Sequence, residues 1–285
     1  MSRKDREVLF FTLSRICAGV VIAFLLIILG YVVLNGIGKL SIDFFTQDPA
    51  PNSRGALVSG GILSPLVGTV MLMLLVLVIA IPIGVFGAVF LVEFWGHNRW
   101  SRKIWLVVNN LAGVPSIVWG LLGVGLLVYY LGFGLSLLSA AITLSLLVLP
   151  IIMVATKEAL EAVPSSIYEA SIGLGATKWQ TIRHHILPYS ASGILTGTIL
   201  SLSRAGGETA PLILTGVAVN AAIPGSLSDQ FQALPYYIYL MTTTSDRAAA
   251  YPMAYAAALV LIGLVVIMNI GAIMLRNKYR SKYKW

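Results

Sequence analysis

The chain has 285 residues, of which 58% are hydrophobic and only 11% charged, with a mean hydropathy of +0.90. No soluble globular domain needs that much apolar surface to fill its core, so the composition excludes one and points to a multi-span membrane protein. The formal net charge of +8 fits an orientation signal and contact with anionic membrane lipids, and no nucleic-acid partner is needed to explain it.

A hydrocarbon core about 30 Å thick takes roughly 20 apolar residues per helix, so uncharged runs convert into spans. Ile16–Gly38 supplies the first, and Gly55–Val92 the second with an approach segment. Ile104–Thr156 is too long for one span and divides at Leu131-Gly132-Phe133-Gly134 into the third and fourth. Ile186–Ser228, interrupted by Arg204 and Glu208, holds the fifth, and Ala248–Leu275 the sixth. The expectation is an all-α polytopic membrane protein with six transmembrane helices. Residues 1–15 form a cytoplasmic arm, 16–275 a single transmembrane domain with a projecting loop at 157–188, and 276–285 a basic tail.

Lys and Arg are retained on the cytoplasmic side of short loops. With both termini cytoplasmic, the inner segments hold Arg3, Lys4, Arg6 and Arg15, then Arg99, Arg102 and Lys103, then Lys157, Lys178 and Arg183, then Arg276, Lys278, Arg280, Lys282 and Lys284. That is fifteen of the nineteen cations, so the predicted location is the cell membrane with both ends inside. Arg3, Lys4 and Arg6 before an apolar run also suit a signal peptide, but the run is too long and no small-x-small cleavage pattern follows. Cys17, the lone cysteine, reads as packing.

In chain order, the outer loop Lys39–Ser64 carries Asp48-Pro49-Ala50-Pro51-Asn52-Ser53-Arg54-Gly55, an irregular connection. Pro82, with Gly84 and Gly87 after it, predicts a kink at a packed crossing. The inner loop Glu93–Lys103 sets Trp95, Trp100 and Trp105 at headgroup depth. Its His97 has no partner at ligand spacing, and no metal site is predicted. The next span opens on Asn109-Asn110-Leu111-Ala112-Gly113-Val114-Pro115-Ser116. Pro115 disfavours helix at Val114, so Asn110 and Ser116 are candidates for a substrate pathway, with ordinary helix packing through Asn and Ser as the alternative. Gly120, Gly123 and Gly125 give this helix a smooth face.

Lys157–Pro188 is a long polar island. Pro164 stops the fourth span, and Ser166-Ile167-Tyr168-Glu169 fits a capping box that opens a short helix. Gly173 and Gly175 end it, because glycine accepts the left-handed conformation beyond a helix C-terminus. Thr177-Lys178-Trp179-Gln180 is a second capping box, opening a helix that runs to Leu187, and Pro188 starts the fifth span. Two capped helices joined by a Gly-Leu-Gly turn make a rigid projection.

Gly193 and Gly197 mark a close helix crossing early in that span. Arg204 lies sixteen residues after Pro188, about 24 Å along a helix, and Glu208 one turn further on the same face. An ionised side chain inside a span costs about 2.5 to 3.5 kcal/mol, so each should face a cavity or a partner. A self-neutralising intrahelical pair is the alternative, against which Gly206-Gly207 is a poor choice for a purely structural helix. Gly216–Ala250 follows as the longest outer loop, where Tyr236, Tyr237 and Tyr239 suggest an interfacial belt. The terminal Arg276–Trp285 reads as a headgroup anchor. With no Walker-type loop, no Cys/His metal spacing and no Ser/His/Asp set, the chain is not expected to be an enzyme; a membrane-embedded enzyme or sensor using Arg204 and Glu208 is the competing class.

Glu169-Ala170, then Gly175, then Leu187-Pro188, resembles the EAA loop of permease subunits of ATP-binding-cassette importers. Ser171 stands where the family often has a second Ala, and His185 and Ile186 shift the usual Ile before Leu-Pro by one. The resemblance implies a type I importer permease fold in which Glu169, Ala170, Gly173, Gly175, Thr177, Leu187 and Pro188 form cytoplasmic coupling helices that dock on an ATPase subunit. Arg204-Ala205-Gly206-Gly207-Glu208-Thr209-Ala210-Pro211 and Gly113-Val114-Pro115-Ser116 resemble segments of the A-type permeases of phosphate-specific transporters, along essentially the whole chain. That likeness implies import of inorganic phosphate past Arg204, Glu208 and Thr209. It also implies a C-type permease partner, two ATPase subunits and an extracytoplasmic phosphate-binding protein, which the Tyr-rich outer segment could meet. The chain itself would need no cofactor, ATP and Mg being bound by the ATPase partners. Sulfate, molybdate and tungstate remain rival substrates.

Overall fold

The computed structural model describes residues 3–51, 59–96 and 98–282; Asn52 to Gly55 of the outer loop, His97 and the last three residues of the tail lie outside the described residues. The chain order is α1 (Arg3–Gly36), α2 (Ile42–Thr46), a two-stranded ribbon β1 (Pro49–Ala50) and β2 (Ser59–Gly60), α3 (Leu63–Val89), α4 (Arg99–Leu111), α5 (Ser116–Gly123), α6 (Leu137–Glu161), α7 (Ser165–Gly173), α8 (Lys178–Thr181), α9 (Leu187–Gly207), α10 (Ala210–Thr215), α11 (Leu234–Thr243) and α12 (Arg247–Lys282). Short π-helical stretches extend α3 to Phe94 and α5 to Tyr130, and link α8 to α9.

Five helices are long and apolar enough to cross a membrane unbroken: Glu7–Lys39, Leu63–Phe94, Leu137–Glu161, Lys178–Gly207 and Arg247–Tyr279. The remaining predicted span is a bent pair, Arg99–Leu111 and Ser116–Tyr130, which meet at 104°. Pro115 is the cause: its ring excludes helix at Val114, and the chain closes α4 with tight turns from Gly113 N to Asn110 O (3.1 Å) and Val114 N to Leu111 O (3.2 Å). The division at Leu131–Gly134 is observed, with Gly132 and Gly134 at φ +68° and +66° turning the chain into α6. Helix α1 begins at Arg3 and α12 runs on to Lys282, so both flanking segments continue helical.

Helices in lipid gain little from the hydrophobic effect and associate by close packing instead. Accordingly α6, the most enclosed span, is gripped by small residues on both sides. Gly84 of α3 packs on Ile152, while Gly193 and Gly197 of α9 pack on Ala159 and Ala155. Leu72, Val76 and Ala80 of α3 and Leu144, Leu147 and Val148 of α6 fill the centre. Pro82, where a kink was expected, is exposed within an unbroken α3. Helix α1 leans on the start of α12 through Gly36, against the Tyr255–Ala256 backbone, and leaves most of its apolar side chains exposed.

The end of α6 opposite the 157–188 loop is closed by backbone from the long connection 208–246. Ser136, Leu137 and Leu138 donate their N–H groups to Thr215, Asp229 and Leu227 carbonyls (3.1, 2.9 and 2.9 Å), and Ser139 N donates to Ser136 Oγ (3.1 Å). All the orphan donors of this N-terminus are thereby satisfied. Asp229 fixes the turn that supplies two of those carbonyls. Its carboxylate accepts from Ser226 N (2.8 Å), Ser226 Oγ (2.9 Å) and Gly225 N (2.9 Å). These bonds, those from Ser226 first, hold its pKa below the usual carboxylate value. A depressed folded-state pKa gives stability that is present above the unfolded value and lost as pH falls through the folded one. Below about pH 4, hydrogen exchange at Leu137 and Leu138 is therefore expected to accelerate, and Asp229→Asn should show the faster exchange already at neutral pH.

The Tyr-rich segment differs from the expected belt. Leu234, Tyr237 and Met241 of α11 are buried with Met253, Ala254 and Ala257 of α12, and Leu234 N donates to Thr69 Oγ1 (2.8 Å). The Tyr237 hydroxyl is buried without a partner among the described residues, and burial pushes it up to about 12, whereas a belt tyrosine keeps its hydroxyl wet. Tyr239 alone of the three has the exposed side chain a belt requires.

Candidate functional site

Helix α9 does not continue past the charges it carries. It ends at Gly207, Glu208 is extended (φ −75°, ψ 130°), and α10 restarts at Ala210 with Pro211 in its first turn. The Gly206-Gly207 pair has low helix propensity, and proline is tolerated where a helix begins. The expectation of one continuous fifth span is therefore corrected: Arg204 and Glu208 straddle a break. Depth follows from packing. A Cβ on Gly206 would lie 2.9 Å from Met73 Cε and 3.1 Å from Val265 Cγ2. Met73 is ten residues into α3 and Val265 eighteen into α12, about 15 and 27 Å from their starts. The break is thus inside the bundle, where irregular backbone survives only if buried in protein or lining a cavity.

Arg204 Nε and Glu208 Oε1 are 3.6 Å apart, with the side chains 39% and 16% exposed. A charge-assisted hydrogen bond is about 2.7 to 2.9 Å, so the pair touches through one nitrogen and the outer guanidinium donors stay available. The self-neutralising alternative needs a tighter contact than this. Beside the pair, Asn269 Nδ2 of α12 donates to Ser203 Oγ (2.8 Å), which donates to the Ile199 carbonyl (3.0 Å), tying the end of α9 to the last span. Asn269 was not singled out from sequence, although one amide within the apolar run Ala248–Leu275 was the signal available.

The second break stands next to the first. Helix α5 packs on α10 at Gly120, where a Cβ would lie 2.9 Å from Pro211 Cα and 3.0 Å from Leu214 Cδ1. Ser116 opens α5 and Thr209 caps α10, so these residues begin the two paired short helices. Asn110 sits across the 104° bend on α4, exposed, and is not brought to the pair. Of the three glycines expected to form a smooth face, Gly120 and Gly123 contact neighbours, whereas Gly125 has no heavy atom within 4 Å. Gly120→Ala must displace backbone and is expected to destabilise the fold by about 1 to 3 kcal/mol, while Gly125→Ala should be neutral. Thermal unfolding of the two variants in detergent checks this.

At the other end of the bundle, α7 starts one residue earlier than the first capping box predicts. Pro164 is its N-cap and no side chain caps it, so Ser166 is already inside the helix. Its C-terminus is closed as expected: Gly175 has φ +88°, Gly175 N donates to Ile172 O (2.9 Å), and Ala176 N donates to Ser171 O (3.2 Å), the paired bonds of a Schellman motif. The second capping box forms in full, Gln180 N to Thr177 Oγ1 (3.3 Å) and Thr177 N to Gln180 Oε1 (2.8 Å). The helix it opens is not a separate element, because π-helical Ile182–Ile186 joins it directly to α9. Ser171 Oγ meets Thr181 Oγ1 at 2.9 Å, both buried, and pins the two arms together. Glu169, Ala170, Gly173, Gly175 and Thr177 are exposed on the projection, while Leu187 and Pro188 sit half-buried at its base. Leu174, 91% exposed between two glycines at the tip, was not among the predicted coupling residues.

A helical bundle broken at mid-depth beside a charged pair, with one broken helix running unbroken into a braced projection, is the architecture of a membrane permease moved from outside the bilayer. The chain belongs to the family of binding-protein-dependent transport system inner membrane components, which matches residues 80–281. It is 33% identical over 273 residues to the phosphate transport system permease protein PstA of Haemophilus influenzae (94% of this chain, 93% of that one). It is 38% identical over 221 residues to PstA 1 of Mycobacterium tuberculosis strain H37Rv (76% and 70%). A probable ABC transporter permease protein of Bacillus subtilis, YqgI, is 28% identical over 95% of both chains. Among solved structures, the fold is similar to a chain of a bacterial ABC transporter involved in import of the acidic polysaccharide alginate (TM-score 0.67, 15% identity, 97% of this chain and 99% of that one). It is also similar to a chain of the MetNI methionine ABC transporter in inward-facing form (TM-score 0.57, 18% identity, 77% and 94%). The chain is a multi-pass permease subunit, not an enzyme; ATP hydrolysis belongs to a separate partner subunit.

Proposed function

We propose that this chain forms half of the pathway by which an importer moves inorganic phosphate across the cell membrane, with both termini and the 157–188 projection in the cytoplasm. A C-type permease completes the pathway, two ATPase subunits drive it, and an extracytoplasmic binding protein delivers the ion. The observation that carries this reading is the loose Arg204–Glu208 contact at the break between α9 and α10. Arg204 offers donors in a fixed fork suited to an oxyanion, while Glu208 can only accept. Hydrogen phosphate brings a proton for that carboxylate; sulfate brings only lone pairs and is disfavoured. Relatives named as phosphate permeases, aligned over most of the chain, support the substrate. ATP-driven closure of the ATPase pair would push the projection and, through Pro188, the helix that bears Arg204.

The test is reconstitution with all partners in vesicles, measuring ATP turnover with each oxyanion and its binding protein. Stimulation by phosphate is expected. Stimulation by sulfate, molybdate or tungstate with silence for phosphate would overturn the substrate.

A further inference from the structure

A second charged cluster lies at the projection end of the bundle, away from the Arg204 break. Helix α4 buries Ser101, Trp105 and Val108 on one face and exposes Trp100, Arg102, Lys103, Leu106 and Val107 on the other. That pattern makes it an amphipathic helix lying along the ends of α3 and α6. Asn98 caps it, its Oδ1 accepting from Trp100 N (2.8 Å) and Ser101 N (2.9 Å). Under its first turns is a cavity of about 140 Å³ whose polar lining is Asn98, Ser101, Arg102, Lys157 and Glu161, with Trp105 as one wall.

The charges in this cavity do not cancel. Lys157 Nζ lies 3.9 Å from Glu161 Oε1 and 4.9 Å above the Trp105 ring, so one cation is held by the one carboxylate. Arg102 has no ion pair among the described residues, which leaves two cations against one anion, a net of +1. The volume is room for about four or five waters, enough for a phosphate group and a few attached atoms but not for hydrocarbon. Hydrocarbon has a place just outside, where Leu106, Val107 and Phe90 are exposed. Arg99 and Lys103 flank the Trp100 ring at 5.9 and 4.8 Å, and such aromatic residues concentrate at headgroup depth.

We propose that this cavity binds the phosphodiester headgroup of an anionic phospholipid, with Arg102 as its principal donor and Lys157 as the second. One phosphodiester carries a single negative charge and neutralises the site. The guanidinium fork matches two of its oxygens, and the acyl chains run over the exposed face of α4. Bound there, the lipid links α4 to the last turn of α6, directly before the projection. This site is independent of the translocated ion and stands whatever the substrate is.

The experiment uses the purified full chain, delipidated in detergent and titrated with short-chain phosphatidylglycerol, phosphatidylcholine or inorganic phosphate. Binding is read by native mass spectrometry and by the shift in melting temperature. Phosphatidylglycerol is expected to bind at least tenfold more tightly than phosphatidylcholine. Arg102→Gln, at an exposed position, should weaken it about tenfold without changing the melting temperature of the lipid-free protein. Arg183→Gln, a cation at the same end but outside the cavity, should leave binding unchanged. Equal binding of the two lipids, unaltered binding by Arg102→Gln, or an equal loss with Arg183→Gln would overturn the proposal. An Arg102-dependent shift of the same size with inorganic phosphate alone would assign the cavity to a soluble anion and overturn the lipid.

Discussion

Replacing Arg204 by Ala is expected to lower phosphate uptake by the assembled transporter at least tenfold while the ATPase subunits remain bound. The guanidinium is half-exposed at a helix break within the bundle, and its 3.6 Å contact with Glu208 uses one nitrogen only. The last turn of α9 does not depend on it for packing, since Ala205 and Gly206 fill the buried side. The loss should therefore fall on transport rather than assembly. A hydrogen bond from a charged group contributes roughly 1.5 to 3 kcal/mol, and tenfold corresponds to about 1.4 kcal/mol, so tenfold is the low end of the effect. Arg204→Lys keeps the charge without the fork and should recover only part of the rate. Glu208→Gln acts on selectivity instead: the amide adds donors where the carboxylate had none, so sulfate should begin to compete with phosphate. Radiolabelled phosphate uptake in proteoliposomes, with sulfate as competitor, measures all three. Normal uptake by Arg204→Ala in an intact complex would remove Arg204 from the pathway.

Much of this site was legible because rare residues stand out in apolar sequence. A charged pair inside a span, a proline after two asparagines, and glycines flanking a leucine each violate the local rule for a membrane helix, and each marks a break or turn in the structure. What the residues could not reveal was how the violations combine. Gly206-Gly207 signalled a weak helix, but only packing against Met73 and Val265 shows that the break lies inside the bundle. Asn110 and Ser116 looked equivalent along the chain, and the 104° bend between them separates their surroundings. The Tyr236–Tyr239 segment has the composition of an interfacial belt. Its burial depends on Thr69, more than 160 residues away, accepting from Leu234 N. The first capping box failed for a local reason: Pro164 already fixes the helix start, so the Ser166 hydroxyl has no terminus to cap.

Changing Leu174 to Asp is expected to uncouple the permease without unfolding it. Leu174 is 91% exposed at the tip of the projection, so no packing within this chain is lost. An apolar side chain displayed between Gly173 and Gly175 has its natural place in a groove of the ATPase subunit. Burying a leucine there stabilises the complex by about 1.5 to 3 kcal/mol, and a carboxylate in the same groove would add a desolvation penalty. ATPase co-purification should fall at least tenfold, with the melting temperature of the isolated permease unchanged. Gly175→Val provides the contrasting case. At φ +88° a β-branched residue is strained, and the Schellman closure through Ala176 N and Ser171 O would open. That variant should loosen the projection itself, visible as faster hydrogen exchange at Gly175 and Ala176, as well as weaken the ATPase contact. If Leu174→Asp retained full ATPase binding, force would have to enter through another surface of the projection. Because Ser171 and Thr181 join the arms and the π-helical stretch joins α8 to α9, any push at the tip reaches Arg204 along one continuous helix.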